Sequence, residues 1–258
     1  MITSTLKLGK QVSLVLWLID QYTGLGCNEQ DVTVYLNGQP EAFQRKAGGY
    51  LVFTDLPGGL YQVRVEAANY FSQELEVNLQ EIVARGRVVY LSLVPTPNYP
   101  FSTTATLLRA SIGRGERADI TAALLSDACA RAKLGRQGAA SGAQEVFLVD
   151  VAMFSAPGDL YMLRPPGGDQ GELCEIDKPG KGEDQYTLRY PLQGDHERGE
   201  FLMPVVKTRA DERGEIVVAF RNFRQRECLV SLEIQTGDSV KRQELTIPLG
   251  QTTLLGNL

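Results

Sequence analysis

Apolar and polar residues alternate along short segments of this chain, and the alternation predicts β-strands. Residues 11–20 are apolar on both faces of an extended segment, with Leu14 and Leu16 on one face and Val15 and Trp17 on the other. A strand that is apolar on both faces is typical of the centre of a sheet that is covered on both sides. We therefore predict that this segment is a central, buried strand.

The same alternation continues through the first hundred residues. Five further strands are predicted there, at 31–36, 50–54, 60–66, 72–79 and 87–94. Turn-forming residues separate them, and the pair Asn37-Gly38 favours a tight hairpin. Short strands at regular intervals with turns between them indicate a β-sandwich.

One stretch of this half is more specific than its periodicity. Residues 49–65 read Gly-Tyr-Leu-Val-Phe-Thr-Asp-Leu-Pro-Gly-Gly-Leu-Tyr-Gln-Val-Arg-Val, and Asn69-Tyr70 follows them. This pattern resembles the regulatory-like domains found beside carboxypeptidases. The resemblance covers residues 10–94 and implies a transthyretin-like sandwich, which that family uses in many non-catalytic roles. Asn69 stands where the family usually has glycine, and asparagine is the next best residue at a positive φ angle.

The second half alternates less regularly. Residues 117–134 suit either a short helix or a strand, and both interpretations stay open. Strands are predicted at 145–151, 159–163, 185–192, 201–208, 215–220, 228–235 and 240–248. The sequence Thr236-Gly237-Asp238-Ser239 predicts a tight hairpin between the last two. Residues 164–184, rich in glycine, proline and acids, are predicted to form a protruding loop.

A short repeat lies within this half. Arg198-Gly199-Glu200 and Arg213-Gly214-Glu215 each precede an apolar strand, and a third Arg-Gly-Glu begins at Arg114. We interpret all three as turns with glycine at the strained position, not as ligand motifs.

Together these patterns predict a mainly β protein made of two tandem Ig-like (transthyretin-like, Greek-key) antiparallel β-sandwich domains. The first spans residues 1–97, and a proline-containing linker spans 98–102. The second, more divergent sandwich spans 103–258 and carries the inserted loop around 164–184. A chain of 258 residues suits two domains of ordinary size.

Composition and charge argue against several classes of protein. The net charge is −5 and the pI is near 5.1. Sequence-independent binding of nucleic acid needs a basic surface, so this charge argues against it. The four cysteines include no C-x-x-C pair of the kind that holds structural zinc. The apolar run 12–19 is too short to span a bilayer and has no cleavage site behind it. We therefore expect no signal peptide and no membrane insertion, and a protein with reduced thiols that is cytoplasmic or released without a signal peptide.

Candidate chemistry is sparse. His196, the one histidine, lies in the charged segment 194–198 and is interpreted as a solvated turn residue, not a catalytic base or metal ligand. The acids of 169–184 do not fit the spacing of a twelve-residue calcium loop. We predict no catalytic residue, no cofactor and no metal site.

These observations leave three hypotheses for function. The first is a non-catalytic structural or interaction protein that acts as a spacer or docking module in a larger assembly, with a protein partner or with itself. The alternative is a carbohydrate- or small-ligand-binding module. The aromatic residues proposed for it are Tyr50, Tyr61, Tyr70, Tyr99 and Phe101. The third, an enzyme, rests only on residues 102–145, whose pattern is the hardest to interpret.

Overall fold

The computed structural model describes residues 9–135, 137–151, 156–168, 170–182, 184–221 and 225–257. The described chain is mainly β, as predicted, with twenty strands and two short 3-10 turns. Its internal contacts divide it into two compact units. The first contains residues 9–19, 26–68 and 72–93, and the second contains 20–25, 69–71 and 94–257. The predicted domain limits and the count of two separate domains stay predictions.

The first unit contains eight strands and one 3-10 turn. The strands are β1 (Val12–Asp20), β2 (Val32–Leu36), β3 (Gln39–Pro40), β4 (Gln44–Lys46), β5 (Tyr50–Thr54), β6 (Leu60–Ala67), β7 (Gln73–Asn78) and β8 (Val88–Leu93), and the 3-10 turn is Ile82–Arg85. They form two four-stranded sheets in the orders β4-β5-β1-β8 and β3-β2-β6-β7. Leu14 and Leu16 of β1, Phe53 of β5, and Val63 and Val65 of β6 are all at most 1% exposed. These buried side chains give the first unit the sandwich-like core that the alternation predicts.

Turn residues in this unit adopt the angles that their types favour. Asn37 and Gly38 have φ angles of 50° and 80°, which suit the tight turn predicted between β2 and β3. Position 49 requires glycine for two reasons, its positive φ angle and the lack of room for a Cβ atom. Its φ is +84°, and a Cβ there would lie 2.5 Å from the Leu18 carbonyl oxygen and 2.8 Å from the Cys27 nitrogen.

The second unit contains twelve strands and one 3-10 turn. The strands are β9 (Thr106–Ser111), β10 (Asp119–Leu124), β11 (Ala132–Leu134), β12 (Glu145–Val149), β13 (Leu160–Arg164), β14 (Glu172–Pro179), β15 (Gln185–Leu188), β16 (Phe201–Arg209), β17 (Glu215–Phe220), β18 (Glu227–Thr236), β19 (Ser239–Pro248) and β20 (Thr252–Asn257), and the 3-10 turn is Asp127–Cys129. Residues 117–134 are thus strand and turn rather than helix. Asn69, at the edge of this unit's 69–71 segment, has a φ of 65°, as its position in the sequence predicts.

Part of the second unit is again sandwich-like. Strands β17, β9 and β20 form a three-stranded sheet, and their apolar residues share one core cluster with those of β10, β16, β18 and β19. Strand β20 runs parallel to β9, so the prediction of purely antiparallel strands is wrong here. The chain leaves β19 in one sheet and enters β20 in the other, and this crossover frees β20 from the antiparallel direction that a hairpin imposes.

The remaining strands of the second unit close into a ring. Strand β11 pairs with both β12 and β16, so the order β11-β12-β15-β14-β13-β16 returns to its start, and all six pairings are antiparallel. A separate core cluster that includes Leu134, Leu148, Ile176 and Leu188 takes its side chains from the strands of this ring. We call these six strands the ring.

The ring contradicts the prediction of a protruding loop at 164–184. Strand β14 occupies Glu172–Pro179 and pairs with β13 and β15. Cys174 and Ile176 alternate into the ring core, whereas Leu173, directly before Cys174, is 49% exposed. The glycines and acids around this strand obscured its apolar positions. Asp169 and Glu183 of the acidic segment lie outside the described residues.

The predicted glycine turns are confirmed. Gly115, Gly199 and Gly214 of the three Arg-Gly-Glu segments have φ angles of 82°, 90° and 80°. Gly237, at 56°, lies in the two-residue turn between β18 and β19. No helix in the described residues is long and apolar enough to cross a membrane.

Candidate functional site

The outer face of the sheet β4-β5-β1-β8 carries a cluster of half-buried apolar side chains. Strand β1 sends Leu14 and Leu16 into the core, so Val15 and Trp17 must lie on the opposite face. The prediction that β1 is apolar on both faces is confirmed. Its outer face, however, is only half-buried, which differs from the predicted full cover on both sides.

Strand register assembles this outer face. Trp17 pairs with Tyr50 and Val15 pairs with Val52 across β1 and β5. The rings of Trp17 and Tyr50 stack at 5.1 Å with an interplanar angle of 15°, and Tyr90 of β8 lies 5.4 Å from Trp17 on a neighbouring strand. We call Val15, Trp17, Tyr50, Val52 and Tyr90 the aromatic face.

One polar bond fixes the centre of the aromatic face. The indole Nε1 of Trp17 donates a hydrogen bond to the Gly48 carbonyl oxygen at 2.8 Å. Trp17 is thereby oriented, and its ring also stacks on Tyr50, so its side chain is held in one conformation. Binding to such a surface costs little side-chain entropy.

The other aromatic residues proposed for sugar binding are placed differently. The Tyr61 hydroxyl donates to the Pro57 carbonyl oxygen at 2.9 Å. Tyr70, Tyr99 and Phe101 form edge-to-face or tilted contacts, at 5.5 Å for Tyr70 with Tyr99 and 4.7 Å for Tyr99 with Phe101. The Tyr99 hydroxyl also donates to the buried Asp20 carboxylate at 2.6 Å. These three rings pack against one another, so their arrangement is not the coplanar row that a sugar platform requires.

The prediction of a solvated turn histidine is wrong. The His196 side chain is only 10% exposed. Its Nδ1 lies 2.7 Å from Glu200 Oε2, and its Nε2 lies 3.0 Å from Glu172 Oε2. The turn 194–198 folds against β14, which sequence reasoning had treated as a loop, and this is why the partner Glu172 was missed. We call Glu172, His196 and Glu200 the histidine clasp.

Both carboxylates of the clasp have further donors. Glu172 accepts the backbone N–H groups of Gln193 at 2.6 Å and Gly194 at 3.0 Å, and Glu200 accepts that of Glu197 at 3.0 Å. Because both ring nitrogens and three backbone donors are used, the clasp ties β14 to the segment before β16. This is the geometry of a structural brace.

The clasp favours the charged form of its histidine. Burial disfavours the charged form of His196, but the hydrogen bonds and charges of Glu172 and Glu200 together outweigh burial and raise the pKa of the imidazole. Burial likewise opposes the charge of Glu172, and the bonds from His196, Gln193 and Gly194 outweigh it and lower the pKa of that carboxyl. No group of three or more potential ligands that could hold a metal ion occurs among the described residues.

A second polar cluster lines a depression in the second unit. Asp159 accepts a hydrogen bond from Arg221, from the Ala156 N–H at 2.8 Å and from the Tyr161 hydroxyl at 3.3 Å. Arg131, 7% exposed, donates to the Arg221 carbonyl oxygen. The depression has a volume of about 500 Å³ including its open mouth and is otherwise lined largely by apolar residues. We call Arg131, Asp159, Tyr161 and Arg221 the arginine–aspartate cluster.

The arginine–aspartate cluster contains more positive than negative charge. Burial raises the pKa of Asp159 against the opposing effect of Arg221, and burial lowers the pKa of Arg131. Two guanidinium groups face one carboxylate, so the depression carries an excess of positive charge. No local motif in the sequence could have revealed this cluster, because its members lie between 131 and 221.

Comparisons with known proteins leave the family open. No protein-family profile and no curated protein matches the chain. Among solved structures the chain is similar to the Bacillus anthracis TIE protein, with 11% sequence identity and a TM-score of 0.25, over 95% of this chain and 33% of that one. The chain thus spans about a third of that structure. The carboxypeptidase regulatory-like assignment stays a prediction.

Proposed function

We propose that this protein is a non-catalytic structural module that docks to another protein, or to a second copy of itself, through the aromatic face. The observation that supports this proposal is the half-buried row of Trp17, Tyr50 and Tyr90 on the outer side of a four-stranded sheet. Tryptophan and tyrosine are enriched among the residues that dominate binding energy at protein interfaces.

The polar clusters favour a structural role over catalysis. The clasp uses both nitrogens of His196 for carboxylates that also accept backbone donors. A general base needs a nitrogen that faces a substrate, and a nucleophile needs such a base within reach. A regulatory-like sandwich as first domain would accord with this role.

The test measures association of the protein and asks whether the aromatic face is buried in the complex. The chain contains a single tryptophan, so Trp17 emission reports on the aromatic face. We expect light scattering of the purified chain, or of the chain with a cross-linked partner, to show a complex whose formation shifts Trp17 emission to the blue. Val52→Lys, which places a charge beside the rings, should weaken the complex at least tenfold, whereas Val240→Lys on the exposed edge strand β19 should not.

Two results would contradict the proposal. One is a chain that stays monomeric and cross-links to nothing at concentrations up to the millimolar range. The other is a complex that Val52→Lys leaves intact, since the contact would then lie elsewhere.

A second candidate function, small-ligand binding, is favoured by the arginine–aspartate cluster. An excess of buried positive charge in an open depression suits a small anionic ligand such as a carboxylate. We expect succinate or phosphate to raise the thermal unfolding temperature of the wild-type chain and not of Arg131→Gln. Equal shifts in both proteins would argue against this candidate.

A further inference from the structure

Two cysteines far apart in sequence meet in the second unit. Cys129 ends the 3-10 turn Asp127–Cys129, and Cys228 is the second residue of β18. Their Sγ atoms lie 2.8 Å apart although 99 positions separate them. Both are free thiols in this structure.

The chain path explains the meeting. Strand β10 pairs with β18 up to Leu124 opposite Val230, and the Leu125 N–H donates to the Leu229 carbonyl oxygen at 2.9 Å. The chain then turns, with the Cys129 N–H donating to the Ser126 carbonyl oxygen at 2.8 Å. This turn folds Cys129 back over the start of β18.

The two sulfurs differ in access. Cys228 is 2% exposed and belongs to the sandwich core, whereas Cys129 is half-buried at its rim. Ser126 forms hydrogen bonds with both cysteines: its hydroxyl bonds to Cys129, and its backbone N–H bonds to Cys228. Cys129 is therefore the sulfur that an external reagent reaches first, and Cys228 is held in position to react with it.

We propose that Cys129 and Cys228 form a reversible intramolecular disulfide by exchange with a low-molecular-weight disulfide such as oxidised glutathione. A disulfide bond is about 2.05 Å long, so the sulfurs need to approach by roughly 0.8 Å. The bond would tie the turn between β10 and β11 to β18.

The exchange balances as two substitutions at sulfur. Cys129, the more accessible of the two sulfurs, gives up its proton and attacks one sulfur of the external disulfide, which breaks its S–S bond, forms a mixed disulfide on Cys129 and releases one small thiolate. The Cys228 thiolate then attacks the Cys129 sulfur and releases the second small thiolate. The two cysteine protons end on the two released thiols, the protein is oxidised by two electrons, and the external disulfide is reduced by two.

The bond has a second structural consequence. The turn that carries Cys129 also carries Asp127, which pairs with the buried Arg164 at 2.7 Å, and it precedes Arg131 of the arginine–aspartate cluster. Oxidation would therefore restrain the segment on which both of these interactions depend. Reduction would leave that segment held by hydrogen bonds and packing.

The experiment is a redox titration of the full chain. The protein is equilibrated in glutathione buffers from fully reduced to fully oxidised, quenched with an alkylating reagent, denatured and analysed by mass spectrometry. We expect the four thiols of the reduced chain to fall to two, with a linked peptide that joins Cys129 and Cys228. The thermal unfolding temperature should rise by about 5 °C or more on oxidation, because the bond closes a loop of about 100 residues.

Variants make the result specific. Cys129→Ser should abolish both the linked peptide and the rise in unfolding temperature. The double variant Cys27→Ala with Cys174→Ala, which removes the other two cysteines, should keep both. Four free thiols across the whole series would overturn the proposal. So would a linked peptide that contains Cys27 or Cys174, a bond between two chains, or glutathione left on Cys129 as the final product.

Discussion

The first unit and the ring of the second unit bury their polar groups differently. Asp20, the last residue of β1, belongs to the second unit, so within the described residues the first unit buries no charged side chain, and Ser13 is its one buried polar residue. The described residues of the second unit bury four charged side chains, three of which lie in or directly beside strands of the ring. The four are Asp20, Arg131, Arg164 and Glu200. Two open sheets leave their backbone edges in solvent, whereas a closed ring brings chain segments together whose carbonyl and amide groups need partners.

This difference predicts different sensitivities. The first unit depends on apolar packing and on the turn angles of a few residues. The ring depends in addition on side chains that satisfy backbone groups inside it, and loss of such a side chain leaves those groups buried without partners. Trp17 lies in the first unit, so its fluorescence follows that unit, while far-UV circular dichroism follows both.

The largest effect is expected from Arg164→Met. Arg164 is 1% exposed, and its Nη atoms donate to the Asp127 carboxylate at 2.7 Å and to the carbonyl oxygens of Leu125 at 2.5 Å and Gly168 at 2.6 Å. Its loss leaves these acceptors without their donor, so we expect the free energy of unfolding of the second unit to fall by about 3–5 kcal/mol. Urea denaturation followed by circular dichroism measures it.

Arg64→Met in the first unit is the matched control. Arg64 pairs with Glu66 at 2.6 Å, but both side chains are about 40% exposed. Its loss should change stability by less than about 1 kcal/mol. If Arg164→Met lowers the free energy of unfolding no more than Arg64→Met does, the stability of the ring does not depend on its buried arginine.

The next effect, in the first unit, is expected from Gly49→Ala. A Cβ at Gly49 would meet backbone atoms of Leu18 and Cys27 at 2.5 and 2.8 Å, and the φ of +84° adds strain. We expect a loss of about 3 kcal/mol, seen as a lower urea midpoint in Trp17 fluorescence. Gly38→Ala shares the positive φ, with nothing within 4 Å of its Cβ, and should cost only about 1 kcal/mol. If the two substitutions lower the free energy of unfolding equally, the positive φ angle, and not the close approach of backbone atoms, is the reason for glycine at position 49.

The same comparison shows what the sequence could predict. Alternation located strands in the first unit because buried residues there largely alternate with exposed or half-buried ones, as in β6 with Val63 and Val65 buried. The turn angles at Asn37 and Asn69 followed from residue type alone. Local rules suffice where neighbours in sequence pair in space.

The ring escaped prediction because its closure is non-local. The pairing of β11 with β16 joins Ala132 to Leu202, and nothing in either short segment indicates the other. Strand β14 was mistaken for a loop since its glycine- and acid-rich flanks imitate one. The histidine clasp was missed for the same reason: His196 and Glu172 are brought together only once β14 is a strand.

A smaller effect, dependent on pH, is expected at the histidine clasp. The pKa of His196 is raised from its ordinary 6.5, so its contribution to stability is complete below that value and is lost as pH rises through the higher folded pKa. The pKa of Glu172 is lowered from 4.5, so its contribution is present above that value and is lost as pH falls through the lower folded pKa. The clasp should therefore stabilise the second unit most between about pH 4.5 and 6.5.

His196→Gln tests this window. At pH 5.5 the substitution should lower the free energy of unfolding by about 2 kcal/mol, because it removes a charged donor from two carboxylates. The loss should shrink as pH rises to 9. Thermal unfolding of both proteins across this range measures the difference, and a loss that does not vary with pH would mean that His196 is neutral in the folded chain.

The smallest effect compares two tyrosine hydroxyls, one in each unit. The Tyr161 hydroxyl donates to Asp159 in the buried cluster, and the Tyr61 hydroxyl donates to the Pro57 carbonyl oxygen near solvent. Tyr161→Phe removes a donor from a buried carboxylate, so we expect a loss of about 1.5 kcal/mol. Tyr61→Phe removes a neutral bond that water can replace, so about 0.5 kcal/mol is expected. Urea midpoints measure both, and a larger loss for Tyr61→Phe would mean that buried charge does not distinguish the second unit from the first.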